Sequence, residues 1–148
     1  MKLYGSLINR IEEDRTFCDE IKVGTGMTEY HWSDRDAYEV VAVKDQKHVT
    51  VREYDHRNTG NGFDNSWELI SNPDNPLRDL VKIGNYWYWT NTLTLEDLNW
   101  IEKDDPCVYI SVCVNWDVDK IRAKGKQTKR TRAKVSFGKA DYYYDHSF

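Results

Sequence analysis

Four histidines and three cysteines are the side chains of this 148-residue chain best suited to hold a metal or move a proton. Two of the histidines directly follow an aspartate, in Asp55-His56 and Asp145-His146. If those pairs met in space, each imidazole would gain a carboxylate partner and the four groups could form a metal or general-base site. No third motif anchors them, so solvated surface neighbours are the simpler reading. Ser33-Asp34-Arg35 reads as a turn whose Asp and Arg hydrogen-bond locally. The cysteines, Cys18, Cys107 and Cys113, contain no CxxC pair, so a structural zinc would need an unusual ligand set. Their odd number favours reduced thiols. HExxH, GxSxG, a P-loop and a helix-opening GxGxxG are all absent, and a tight turn accounts for Gly24-Thr25-Gly26. The expectation is no enzyme, no metal and no cofactor.

A second chemistry lies in the charge pattern. The chain holds 21 Lys+Arg against 25 Asp+Glu, a net charge of -4. Within 120–134, however, Lys120, Arg122, Lys124, Lys126, Lys129, Arg130, Arg132 and Lys134 occur without a single acid. Basic blocks this dense bind phosphate backbones by releasing counterions. Gly125 and Gln127-Thr128 suggest a flexible ribbon tip rather than a helix. The plain alternative is a solvated loop lying on the protein's own acidic surface. The other residues are strongly acidic, which offers the opposite idea of a surface that mimics nucleic acid in a partner's basic groove.

Aromatics could add base stacking, worth ~1–3 kcal/mol per base. In Tyr86-Trp87-Tyr88-Trp89 a strand would put the tyrosines on one face and the tryptophans on the other. One face of each such pair must fill the core. Tyr86, Tyr88 and Tyr143 remain candidates for a partner surface, with Tyr142 and Tyr144 an alternative stacking pair.

The elements that must position these groups are mostly strands. Leu3, Leu7, Ile8 and Ile11 place a short helix over Ser6 to Arg15. Tyr38–Lys44 and His48–Tyr54 form a β-branched hairpin across Asp45-Gln46-Lys47. Asp55–Asn65 reads as a loop and Trp67–Ile70 as a short strand. Leu80–Thr90 is a second hairpin turning at Gly84-Asn85, and Thr94 caps a helix carrying Leu95, Leu98 and Ile101. Cys107–Val114 is expected as a strand that places both cysteines on one face as small core hydrophobes. Val135–Phe137 and Tyr142–Tyr144 would close the sheet. The fold class is therefore α+β and mostly β: a small twisted antiparallel barrel or half-barrel with a short N-terminal helix and one further helix. One domain spanning 1–148 is expected at this length. Six tryptophans and ten tyrosines exclude disorder, and no apolar run reaches the ~18 residues of a membrane span. The polar N-terminus argues against a signal peptide.

The glycine-containing turn Gly24 to Thr28, Trp32-Ser33-Asp34-Arg35, the valine-rich hairpin from Tyr38 to Arg52, Asn61-Gly62, and the closing Tyr142 to Phe148 form an unusual combination. On these residues the chain resembles small uncharacterised accessory proteins of tailed bacteriophages and prophages. The resemblance covers about half the chain, with 22–72 and 135–148 as the family-like β core. The stretch 80–134, including the basic ribbon 120–134, looks like an elaboration. The resemblance implies a phage origin and life in the cytoplasm of a bacterial host, and it implies no reaction. By analogy, such proteins often disable host defences. The expected function is therefore a non-catalytic inhibitor of a nucleic-acid-targeting defence, anti-CRISPR-like, whose partner is a host defence protein or its nucleic acid. The alternatives are a direct DNA- or RNA-binding accessory protein and a sponge for a signalling nucleotide.

Overall fold

The computed structural model describes residues 9, 12–60 and 65–144. Nine strands are described: β1 Gly26–Tyr30, β2 Arg35–Asp45, β3 His48–Glu53, β4 Asp55–Asn58, β5 Trp67–Ile70, β6 Leu77–Ile83, β7 Tyr86–Thr94, β8 Lys126–Ala133 and β9 Val135–Phe137. Three helices lie between β7 and β8: α1 Leu95–Asp104, α2 Pro106–Asn115 and α3 Val118–Lys124. Backbone contacts divide the chain into two compact units, Met1–Trp89 with Thr131–Phe148, and Thr90–Arg130. The chain passes from one to the other inside β7 and β8.

The main sheet has the order β8-β7-β6-β3-β2-β1-β9, and β4 pairs with β5 in a separate ribbon. Strands β8 and β9 sit at opposite ends of that order, yet Lys134 alone separates Ala133 from Val135. Two Cα–Cα steps span at most about 7.6 Å. The sheet of the first unit must therefore curl until its edges approach, which makes it a half-barrel. Cross-strand partners show which side chains share the concave face. Met27 lies opposite Tyr38 and Phe137, Val51 opposite Val40 and Arg78, and Val49 opposite Leu80. These apolar residues join Trp87, Trp89, Ala133 and Val135 in one buried cluster, with Met27, Val51 and Phe137 fully covered. The hairpin 38–54 and the turn at Gly84-Asn85 form as the β-branched runs and turn residues predict.

Three expectations need correction. Residues 55–58 are not loop but strand β4, because Trp67–Ile70 supplies an antiparallel partner from Asn58↔Trp67 to Asp55↔Ile70. The stretch Cys107–Val114 is not a strand. It lies in α2, where Pro106 occupies the first turn and the Asp105 carboxylate caps the Val108 amide at 3.2 Å. Capping and the packing of Tyr109 and Val112 with Leu98 and Ile121 override the β preference of valine and isoleucine. Residues 118–124 are helix rather than ribbon, capped by Asp117 and ended by left-handed Gly125 at φ 87°. There are thus three helices here instead of one further helix. Half of the helix expected over Ser6–Arg15 lies outside the described residues; of the rest, Asn9 and Glu12 are helical and Glu13 to Arg15 are not, so the helix is not confirmed. Tyr142–Tyr144 contributes only an isolated bridge, Arg35↔Tyr143.

Candidate functional site

The eight cations of 120–134 do not act alike once folded. In the second unit, α3 carries Lys120, Arg122 and Lys124, and β8 carries Lys126, Lys129 and Arg130. Strand alternation splits the latter. Gln127 and Lys129 turn inward: Gln127 Oε1 accepts from the Asp117 amide at 2.8 Å, and Lys129 Nζ donates to Asn115 O at 2.6 Å while sitting over the Trp116 ring. Lys126, Thr128 and Arg130 turn outward and are exposed. Arg122 is spent on Glu102 at 3.1 Å and on the Tyr109 hydroxyl at 2.8 Å. Lys120, Lys124, Lys126 and Arg130 are exposed, and their side chains bond to no described residue. From Thr90 to Arg130 there are seven acids and seven Lys+Arg, so this unit is neutral overall and the acids concentrate in α1 and its flanks.

The other two cations belong to the first unit. Arg132 bonds the Asp14 carboxylate at 2.5 Å and lies 4.3 Å over the Tyr86 ring. That contact occupies one face of Tyr86, which is itself 48 % exposed. Tyr88 is half-buried, and Trp87 and Trp89 are in the core, so the tryptophans are no stacking platform. Tyr142 is stacked on His56 at 3.7 Å and touches the Trp67 edge at 4.6 Å, closing it to a base. Lys134 is exposed beside a cleft of about 290 Å³ lined with Asn9, Glu13, Tyr30, His31 and Trp32.

Sequence reasoning missed a cluster of acids at one end of the concave face. The β1–β2 register sets Glu29 directly opposite Asp36, a like-charge pair that needs compensation. His31 provides it: Nε2 is 2.7 Å from Asp36 Oδ2 and 3.6 Å from Glu29 Oε1. The Tyr38 hydroxyl donates to Glu29 Oε1 at 3.1 Å and Trp89 Nε1 to Glu29 Oε2 at 3.0 Å. The Asp36 hydrogen bond holds the His31 imidazole above its ordinary pKa against burial, with Glu29 and Asp34 adding to the effect. Burial, then Asp36 and Glu29, push the nearby Glu53 carboxyl up. Glu29, His31 and Asp36 each bring one ligand atom within 4.8 Å of the others, a mixed nitrogen and oxygen set of the kind divalent transition metals accept. The signal available in the sequence was His31 two residues after Glu29, just past the end of β1. Their partner Asp36 was hidden until the β1–β2 register was known.

The remaining expected groups are placed as follows. His56 faces Tyr142 and Trp67, whereas Asp145 and His146 lie outside the described residues, so no meeting of the two pairs can be described. Arg35 does not bond locally. Its guanidinium reaches Asn9 Oδ1 at 2.9 Å and Asp141 Oδ2 at 2.6 Å, linking segments far apart in sequence. Cys107 and Cys113 are exposed on α2 rather than buried in a core, and Cys18 is half-buried. No helix among the described residues is long and apolar enough to cross a membrane. Comparison with known family models, curated proteins and solved structures finds no match.

Proposed function

We propose that this is a phage-encoded, non-catalytic binding protein that inhibits a nucleic-acid-targeting bacterial defence by gripping nucleic acid through its second unit. The observation that carries the reading is the sorting of cations there. Lys129 and Arg122 are tied into the unit, while Lys120, Lys124, Lys126 and Arg130 are left exposed and unpaired. An acid-free group of unpaired cations is what phosphate contact requires, because each contact releases condensed counterions. The phage and anti-defence parts of the reading rest on the sequence resemblance alone.

The test is fluorescence anisotropy with labelled single- and double-stranded DNA and RNA over a salt series. The quadruple variant Lys120→Gln, Lys124→Gln, Lys126→Gln, Arg130→Gln should lose binding and flatten the salt dependence on duplex DNA by about 3–4 log units per decade of salt. Wild-type affinity in that variant would sink the reading. Arg122→Gln removes a paired cation and should weaken binding far less.

A second reading, capture of a signalling nucleotide, draws on the cleft beside Trp32 and Lys134. A ring on Trp32 and a phosphate on Lys134 would suit such a ligand. A thermal-shift screen of cyclic and linear nucleotides tests it: one nucleotide should raise Tm, and Lys134→Gln should abolish the rise.

A further inference from the structure

Helix α2 is apolar on nearly every side, yet only Val112 is buried and only Tyr109 and Asp105 are half-buried. Ile110 is 67 % exposed, Val114 80 % and Val108 45 %. A helix with this composition is normally covered. Its outward stripe is Cys107, Ile110, Ser111 and Val114, spaced i, i+3, i+4 and i+7, and no charged residue occurs from Pro106 to Asn115.

We propose that this stripe is a self-association surface, on which α2 of a second copy packs antiparallel. Two independent features select a second copy in that orientation. The first is size. The stripe is symmetric about the midpoint between Ile110 and Ser111, so a two-fold axis there sets Ile110 against the partner copy's small serine and Val114 against its small cysteine. Each branched side chain meets a small one, the condition for close helix approach. The second is charge. The N-terminal end of α2 is acidic, with Asp104 and Asp105, whereas at the C-terminal end Lys129 Nζ sits on Asn115 O and offsets the nearby Asp117, leaving that end the less acidic one. Antiparallel pairing sets the acidic end of one helix beside the end of the other that holds Lys129. Parallel pairing would bring the two acidic ends together.

A ten-residue helix is only about 15 Å long, so the contact is small and the dimer should form in the micromolar range rather than be permanent. A dimer would present two sets of the exposed cations, and the gain in avidity on a long nucleic acid follows without any new contact.

Sedimentation velocity from about 1 to about 200 µM tests the proposal in the reduced full-length protein. The weight-average mass should rise toward that of a dimer, and Ile110→Glu should hold it at the monomer while leaving Tm unchanged. Orientation is read by cross-linking in a Cys113→Ser background. Adding Val114→Cys should give an oxidant-dependent covalent dimer through native Cys107, and adding Cys107→Ser to that variant should remove it. A monomer throughout the concentration range overturns the proposal and leaves the stripe to a different protein. Cross-linking through Cys107 alone, without Val114→Cys, overturns the antiparallel arrangement.

Discussion

The two units of this chain differ in how much apolar core they build. In the first, an apolar cluster that includes Met27, Val51, Trp87 and Phe137 is buried to a few per cent or less, although Val23, Trp32 and Leu77 stay exposed, and several of its cations have partners: Arg35 with Asp141, Arg52 with Glu39, Arg57 with Glu68 and Arg132 with Asp14. In the second, three residues are buried, Leu98, Val112 and Ile121, while an uncharged helix face is uncovered and five of the seven cations have no side-chain partner among the described residues. The first unit holds the larger apolar core, and the second leaves most of one uncharged helix uncovered. The binding role proposed for the helical unit draws on that contrast, although the sheet contains more of the chain.

The largest test of the contrast is a pair of truncations. Phe137 is fully buried and its ring lies 4.7 Å from Trp87, so Phe137→Ala should cost about 3–5 kcal/mol in a chemical melt. Val114→Ala should change stability by less than about 0.5 kcal/mol while weakening self-association. Equal losses in both would erase the distinction between the units.

A smaller effect separates them locally. Asp105→Ala removes the cap of α2 and should cost about 1 kcal/mol. Hydrogen exchange should show faster exchange in α2 amides, with the amides of β1 to β3 unaffected. Uniform acceleration across both units would mean they unfold together.

The smallest effect is pH-dependent and belongs to the sheet. The folded pKa of His31 is raised above its ordinary value of 6.5, so its contribution is fully present below that value and is lost as pH rises through the folded pKa. His31→Gln should therefore destabilise the protein at acidic pH and converge with wild type at alkaline pH. Half-exposure keeps the difference modest. A constant difference from pH 5 to 9 would show that the imidazole acts by packing alone.

Legibility in the sequence followed the range of the interactions. The hairpins 38–54 and 80–90 could be read because their turns and alternation are local. So could α1, whose cap, first-turn acids and last-turn lysine all lie within eleven residues. The stretch Cys107–Val114 misled because β-branched composition favours a strand, whereas the Asp105 cap and contacts with Leu98 and Ile121 favour a helix. The basic stretch was visible as composition, but its division into paired and unpaired cations was not. That division depends on which side of β8 each residue faces and on where Glu102, Asn115 and Asp14 lie.

Composition and local pattern by themselves determined that the chain is mostly β, that its tryptophans at 87 and 89 share a face, and that its positive charge gathers near the end. Those properties depend on residue type and on the period-two geometry of a strand, which need no distant partner. Only the tertiary structure decided that Glu29 faces Asp36 with His31 between them, that the 107–114 run is a helix with one uncovered face, and that five of the eight clustered cations have no side-chain partner among the described residues. Each of these is set by a register or a packing contact between segments separated in sequence, and such contacts come into being only when the chain folds.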